Sequence, residues 1–245
     1  MTNQQIERPS ILWLLLEIRA IFELGATLIS MPWLKDCPMG DGHPVLVIPG
    51  LGASDTSTAI LRRFLKEKNY AVHGWELGHN KGYNRELLSK MYKRIEELYH
   101  RYGGRKLSLI GWSLGGVYAR ELAKIYPEFI RQVITMGSPI RGHLKAPTNA
   151  DWVYKLLSGH SVEEVEPELL QSMAIPPPVP MTAIYSKSDG IVPWEVCIET
   201  EEKEGIENIE IGGSHFGLGH NPRVLWCIAD RLAQEEGSWR PFKGS

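Results

Sequence analysis

The sequence predicts an α/β fold in which helices flank a mainly parallel sheet. Short apolar segments typical of strands alternate along the chain with segments of helical periodicity, and this alternation indicates βαβ units. The run Val45-Leu46-Val47-Ile48 is uniformly apolar and mostly β-branched, as a strand buried on both faces requires. A sharp turn around Ser113, between an apolar strand and a helix, is the third observation. In such sheets the ligand site lies beyond the carboxyl ends of the strands.

The individual elements follow from apolar runs and from turn residues. The predicted strands are residues 45–48, 71–75, 107–110, 132–136, 181–185 and 206–211. The predicted helices are residues 58–68, 86–102, 116–126 and 222–234. Because the chain has 245 residues and 43% hydrophobic content, we expect residues 1–245 to form one domain with a sizeable core.

Charge and cysteine content exclude several classes of protein. The net charge of -2 favours neither a nucleic acid nor an anionic membrane as partner, and the acidic residues 199–204 are predicted to form a solvated face. Cys37, Cys197 and Cys227 are far apart and form no C-x-x-C pair. The sequence therefore indicates neither a disulfide framework nor a zinc site, and it favours a reducing compartment.

Residues 1–40 form an apolar N-terminal segment with a predicted helix. No basic stretch or small-residue cleavage site marks a signal peptide. Glu17, Arg19 and Glu23 interrupt the apolar run too early for a membrane span. We therefore expect the protein to lie in the cytoplasm. Association with a membrane surface is compatible with that location.

The apolar residues of this segment cover more than one stripe. Four of them share one helical face: Ile11, Leu15, Ile18 and Phe22. Leu12 and Leu16 lie instead on the side of Arg19 and Glu23. The first expectation is that the helix packs on the domain. The alternative is a homodimer contact or a weak membrane-surface contact.

Residues 141–180 separate two predicted strands and are too many for an ordinary connection. The segment contains two predicted helices, around residues 152–157 and 164–173, before Pro176-Pro177-Pro178. We expect it to form a short cap, or lid, whose apolar side chains overlie Ser113.

The turn itself carries the first chemical signal. Gly111-Trp112-Ser113-Leu114-Gly115 fits the pattern G-x-S-x-G of a nucleophile elbow. Gly111 and Gly115 lack a Cβ, so the strand and the helix can approach closely there. Ser113 is then expected to have a strained backbone at a helix N-terminus, where partial positive charge favours a developing oxyanion.

A serine hydroxyl needs a base and an acid that orients the base. Asp189 follows the strand 181–185 directly and is the predicted acid. His215 and His220 both follow the last strand. His215 is only four residues beyond Ile211, whereas His220 immediately precedes a helix start at Asn221-Pro222. We therefore predict His215 as the base and His220 as a residue of the pocket rim or the surface.

The order Ser113, Asp189, His215 resembles that of the α/β-hydrolases, and the chain looks like one of the esterase/lipase type. It is similar to a group of bacterial hydrolases from about residue 41 to the C-terminal region. Four runs carry this resemblance: Asp41-Gly42-His43-Pro44-Val45-Leu46-Val47, Pro49-Gly50-Leu51-Gly52-Ala53-Ser54-Asp55, Ser188-Asp189-Gly190-Ile191-Val192-Pro193 and Asn221-Pro222-Arg223-Val224-Leu225.

The resemblance implies an α/β-hydrolase fold and places the nucleophile, acid and base on the three residues just named. It also implies that the backbone N–H of Leu114 and of the loop after the first predicted strand stabilise the oxyanion. Many relatives begin that loop with His-Gly, but Pro49 stands here instead of the histidine, and Leu51 is the predicted second donor. The residues expected to line the substrate pocket are Gly50, Trp112, Trp152, Leu156 and Val192.

The activity implied is hydrolysis of carboxylic esters, from small molecules to lipid-like substrates, through an acyl-enzyme and without a metal or organic cofactor. A thioesterase, lactonase or acyltransferase would use the same residues. A scaffold without catalysis that binds a lipid or a partner protein is the alternative from another class. Ser113 argues against haloalkane dehalogenases and epoxide hydrolases, which need a carboxylate nucleophile.

Overall fold

The computed structural model describes residues 6–82, 85–141, 148–149, 151, 172–173, 175–201 and 203–244. Its strands are β1 (Pro44–Ile48), β2 (Ala71–Gly74), β3 (Leu107–Trp112), β4 (Ile130–Met136), β5 (Met181–Tyr185) and β6 (Ile206–Glu210). They form one parallel sheet in the order β2-β1-β3-β4-β5-β6. The predicted α/β architecture with a parallel sheet is confirmed.

The described helices are α1 (Ile11–Leu15), α2 (Ala20–Ile29), α3 (Met31–Leu34), α4 (Ala59–Glu67), α5 (Arg85–Arg101), α6 (Leu114–Ile125) and α7 (Pro222–Leu232). Four 3-10 turns accompany them, at Leu16–Arg19, Asp55–Thr58, Pro127–Phe129 and Trp194–Val196. The four helices predicted at 58–68, 86–102, 116–126 and 222–234 are present, with ends that differ by at most two residues.

The sheet has an apolar core on each face. Val45 and Val47 of β1 pack with α4 and α7, whereas Leu46 and Ile48 pack with α5 and α6. Side chains of a strand alternate between faces, so a strand covered on both sides must be apolar throughout. Because the strands are parallel, their carboxyl ends meet at one edge of the sheet, which carries the loops described below.

Most of the predicted cap lies outside the described residues, including Trp152 and Leu156. The described ends of this segment contact α6. The buried guanidinium of Arg120 donates hydrogen bonds to the backbone oxygens of Ile140 and, at 2.9 Å, of Met173. It also pairs with buried Glu199, so the prediction that residues 199–204 form a solvated face is wrong for Glu199. A buried guanidinium requires such a counter-charge.

The expectation that the apolar face of the N-terminal segment packs on the domain is wrong. The segment consists of α1, a 3-10 turn, α2 and α3 instead of one helix. Eight of its apolar side chains are between 64% and 83% exposed: Ile11, Leu12, Leu15, Ile18, Ile21, Phe22, Leu28 and Ile29. In the 3-10 turn and α2 the buried residues are polar, Glu17 and Thr27, whereas α3 and the residues after it bury Leu34 and Cys37 in the core. Loops beyond the sheet present backbone N–H groups to the polar buried side, and these groups need acceptors.

Within the described chain, no helix combines the length and the apolar character needed to cross a membrane.

Candidate active site

Ser113 occupies the turn between β3 and α6 with φ +53° and ψ −125°. A positive φ is uncommon for a residue with a Cβ and stores strain. A hydrogen bond of 2.8 Å from the Ser113 N–H to the Met136 backbone oxygen holds the turn against β4. A Cβ on Gly111 would lie 2.3 Å from the Gly116 Cα, and one on Gly115 would lie 2.3 Å from the Ile48 oxygen. The predicted need for glycine at both positions is therefore confirmed.

Two backbone segments flank the serine. Leu114 begins α6, and the first N–H groups of a helix have no partner within the helix. On the other side, a Cβ on Gly50 would lie 3.1 Å from the Ser113 Cβ, so the loop after β1 runs directly against the serine. Leu51 follows in that loop and is partly buried. The roles of Leu114 and Leu51 as oxyanion donors stay predictions.

Asn80 fixes the loop after β1, and sequence reasoning missed it. Its side chain is buried, with no exposed surface, and donates a 2.9 Å hydrogen bond from Nδ2 to the Pro49 oxygen. Its backbone oxygen accepts from the Gly52 N–H at 2.7 Å, and its N–H donates to the Ala53 oxygen at 2.8 Å. The polar stretch 78–82 predicted only a loop, because its composition does not reveal which side chain turns inward.

Asp189 is held by its own loop. Its Oδ1 accepts hydrogen bonds of 2.8 Å from the backbone N–H groups of Ile191 and Val192. Its Oδ2 lies 2.6 Å from the Nδ1 of His215, and both side chains are buried. Because an ionised carboxylate can only accept, Nδ1 carries the proton and Nε2 is left as the acceptor. A general base needs this tautomer.

The electrostatics of His215 suit the same chemistry. Burial acts to lower the pKa of His215, but the charge and hydrogen bond of Asp189 and the charge of Glu17 raise the pKa above the ordinary histidine value. A base whose pKa lies near the working pH transfers protons efficiently.

Gly137 brings the Asp189–His215 pair next to the serine turn. It follows Met136, the partner of the Ser113 N–H, and has φ +54°. A Cβ on Gly137 would lie 3.1 Å from both the Asp189 Oδ2 and the His215 Nδ1. The three predicted residues Ser113, Asp189 and His215 therefore lie together at the carboxyl edge of β3, β4, β5 and β6.

His220 is engaged elsewhere. Its Nε2 lies 2.9 Å from the backbone oxygen of Ala20, and its own backbone oxygen accepts from the hydroxyl of Thr27. Asn221 caps α7 as predicted, accepting from the Arg223 N–H at 2.9 Å. The ring of His220 is half-buried beneath α2, which the sequence did not predict.

Two of the predicted pocket residues are buried and form hydrogen bonds to the loop of His215 or to Asp189. Trp112 is buried and donates its indole N–H to the His215 backbone oxygen. Val192 is buried in a small cluster with Ile191 and Val196, and its backbone N–H binds Asp189. Gly50, by contrast, faces the serine, because a Cβ at this position would lie 3.7 Å from the Ser113 Oγ.

A second Ser-His-Asp arrangement occurs at the opposite end of the sheet. His43 Nδ1 lies 2.5 Å from Asp41 Oδ1, and His43 Nε2 lies 2.8 Å from Ser108 Oγ. Ser108 is inside β3 with no exposed surface, so an ester carbonyl has no access to it. Burial lowers the pKa of His43 to about 4. We assign this cluster to holding β1 and β3 together.

The sheet, the strained serine turn after β3 and the chain order of the three residues define an α/β-hydrolase, and the chain belongs to that superfamily. A family model narrows the assignment. The model of the palmitoyl protein thioesterases matches residues 44–176, just over half of the chain. The protein belongs to the palmitoyl protein thioesterase family.

Curated relatives match over shorter stretches. The chain is 31% identical to the human serine hydrolase BPHL over 108 residues, which cover 40% of this chain and 37% of that protein. It is 28% identical over 109 residues to the pimeloyl-[acyl-carrier protein] methyl ester esterase of Aliivibrio fischeri, with 44% and 40% covered. The chain thus spans less than half the length of these relatives.

Solved structures match in fold. A Bacillus licheniformis lipase, BlEst2, superposes with a TM-score of 0.58 at 16% identity, covering 81% of this chain and 95% of that one. Aspergillus fumigatus lipase B gives a TM-score of 0.62 at 15% identity, covering 80% and 54%. At these identities the likeness extends to the fold alone.

Proposed function

We propose that the protein is a serine hydrolase that cleaves carboxylic esters, with Ser113 as nucleophile, His215 as base and Asp189 as orienting acid. The observation that carries the proposal is the 2.6 Å contact between Asp189 Oδ2 and His215 Nδ1, next to a serine held at φ +53°. A buried Asp–His pair beside a partly buried, strained serine is the arrangement that activates a hydroxyl.

The reaction proceeds in two acyl transfers. His215 Nε2 takes the Ser113 proton as Oγ attacks the carbonyl carbon, and the N–H groups of Leu114 and Leu51 bind the oxyanion, each contributing about 3 kcal/mol. His215 then protonates the leaving alcohol as the C–O bond breaks. Water, deprotonated by His215, hydrolyses the acyl-enzyme and restores the serine. These steps need neither a metal nor an organic cofactor.

A thioesterase is the second candidate, and the match of residues 44–176 to the palmitoyl protein thioesterases favours it. Its leaving group is a thiol in place of an alcohol, and the same three residues serve. A lactonase or acyltransferase would also use them. A relative named as an esterase of an acyl-carrier-protein methyl ester supports acyl groups as substrates.

The apolar outer face of the N-terminal segment supports a lipid surface as partner. Its polar side binds the loops that carry Asp189 and His215, so its apolar side necessarily faces outward. A lipid surface in contact with Phe22 and Ile18 would adjoin the site at which a lipid-like substrate reacts.

The cysteines are free and buried, which supports a cytoplasmic location.

Turnover of p-nitrophenyl esters of increasing chain length and of acyl thioesters tests the activity. We expect hydrolysis that depends on Ser113 and labelling of Ser113 by a fluorophosphonate. A preference for thioesters over esters of equal chain length would select the second candidate. An absence of both turnover and labelling would leave the binding scaffold as the function.

Sedimentation with neutral phosphatidylcholine vesicles tests the lipid contact. Phe22→Asp should reduce vesicle binding about tenfold, whereas Ile125→Asp, at an exposed position on α6, should not. Light scattering of the wild type distinguishes the alternative, because a dimer that Phe22→Asp dissociates would identify a second copy as the partner.

A further inference from the structure

We infer that Glu17 is a positioning residue that joins the loop of Asp189 to the loop of His215. It lies in the 3-10 turn Leu16–Arg19, upstream of the sheet, and its side chain is 5% exposed. Its proposed role rests on the proposed function, in which Asp189 and His215 act together.

Both carboxylate oxygens of Glu17 accept hydrogen bonds from the backbone of the site. Oε1 accepts from the N–H of Gly190 at 2.8 Å and from the N–H of His215 at 2.9 Å. Oε2 accepts from the N–H of Phe216 at 3.0 Å. Gly190 adjoins Asp189 in the chain. One side chain therefore fixes the separation of two loops that come from different strands.

The energetics require that these bonds be made. A buried carboxylate without partners is strongly unfavourable, and charge-assisted hydrogen bonds offset this cost. The fit is also close, because a Cβ on Gly190 would lie 2.4 Å from the Trp13 backbone oxygen. The backbone of α1 thus passes directly over the loop of Asp189. This places Glu17 between the loop of Asp189 and the loop of His215.

Two neighbouring charged residues bind the same loops, but each of them contacts only one of the two loops. Glu23 accepts from the N–H of Ser214 at 2.8 Å, and Arg19 donates to the backbone oxygen of Ser188 at 2.6 Å. Arg19 and Glu23 are 3.4 Å apart and pair with each other. Glu17 differs because it binds both loops and the amide of His215 itself.

Four charged groups surround His215. Asp189 contacts its ring, Glu17 and Glu23 bind the N–H groups of His215 and Ser214, and Arg19 pairs with Glu23. The negative charge of Glu17 acts in the same sense as that of Asp189 and favours the imidazolium. Glu17→Gln keeps the size of the side chain, removes this charge and turns an NH₂ group toward an N–H donor. The variant should therefore displace the histidine loop and lower the pKa of His215.

Two measurements on the full chain test the inference. The first is the pH titration of the His215 ring by NMR, and the second is the pH profile of kcat/KM for a p-nitrophenyl ester. We expect Glu17→Gln to lower the midpoint of both by about half a pH unit or more. We expect kcat to fall about tenfold or more with little change in KM, since the change affects positioning of the base. Glu7→Gln, which removes an exposed charge of the same segment, should match the wild type.

Glu17→Asp keeps the charge but shortens the reach, so it should retain the His215 midpoint and lose part of kcat. If Glu17→Gln does not fold, wild-type kcat in Glu17→Asp overturns the inference. If Glu17→Gln folds, wild-type midpoint and kcat overturn it. The NMR titration needs no turnover, so a wild type inactive on esters would contradict the proposed function while the Glu17 inference is still decided.

Discussion

Trp112 donates its indole N–H to the backbone oxygen of His215 at 3.2 Å. Trp112 immediately precedes Ser113, so the strand that ends at the proposed nucleophile also holds the loop that carries the proposed base. The loop packs on the same ring, since a Cβ on Gly219 would lie 2.7 Å from it. The relative position of Ser113 and His215 is therefore set by a buried side chain and not by the loop alone.

The two serines that lie near a histidine and an aspartate give a matched pair of variants. Ser113→Ala should retain the fold and lower kcat by about 10⁴- to 10⁶-fold, as in other serine triads. Ser108→Ala leaves His43 Nε2 without its partner and should cost about 1–2 kcal/mol of stability, with kcat near wild type. Steady-state kinetics and thermal unfolding of both variants check this. More than a tenth of wild-type hydrolysis in Ser113→Ala would refute the assignment of the nucleophile.

Asn80→Ala should disturb the loop after β1, which carries the proposed oxyanion donor Leu51, without touching the Asp189–His215 pair. The change removes the bond from Nδ2 to the Pro49 oxygen and leaves that buried oxygen unpaired. Because oxyanion donors act mainly in the transition state, kcat should fall by about 10- to 100-fold with KM within about threefold. His79→Ala, whose ring contacts the Gly52 oxygen from the surface, is the control and should change kcat less than about threefold. Equal losses in both variants would contradict the role of Asn80.

The sheet and the serine turn could be predicted because local sequence determines them. Strand β1 is apolar on both faces, and the glycines at 111 and 115 permit a turn that a Cβ would block. The positions of Asp189 and His215 followed from strand ends and chain order. These features depend on neighbours in sequence, which the pattern of residue types records.

The features that could not be predicted depend on partners far apart in the chain. Glu17 is buried because amides nearly 200 residues later need an acceptor, and helical periodicity contains no information about them. Periodicity therefore indicated the wrong face of the N-terminal segment. Glu199 is buried for a similar reason, because Arg120 on α6 needs a counter-charge.

As the pH falls, protonation of His43 should destabilise the fold at a higher pH than protonation of Asp41 does. Burial lowers the pKa of His43 from the ordinary 6.5 to about 4. Below pH 6.5 the unfolded chain binds a proton that the native protein does not, so stability is lost as pH falls from about 6.5 to about 4, by about 1.4 kcal/mol per unit at most. Denaturant unfolding at several pH values checks this. The slope should be smaller in His43→Gln and unchanged in His100→Gln, whose histidine is exposed. An unchanged slope in His43→Gln would assign the loss to other groups.

The choice between His215 and His220 as base is the most direct test of the site. The Nδ1 of His215 is bound to Asp189, which leaves Nε2 to accept the serine proton, whereas the Nε2 of His220 is bound to the Ala20 oxygen. His215→Ala should therefore lower kcat to the level of Ser113→Ala, about 10⁴- to 10⁶-fold. His220→Ala removes one tether of α2 and should cost less than about tenfold in kcat. Both variants are measured with a p-nitrophenyl ester, and circular dichroism verifies that they are folded. If the large loss occurs in His220→Ala instead, the base moves to His220 while Ser113 keeps its role.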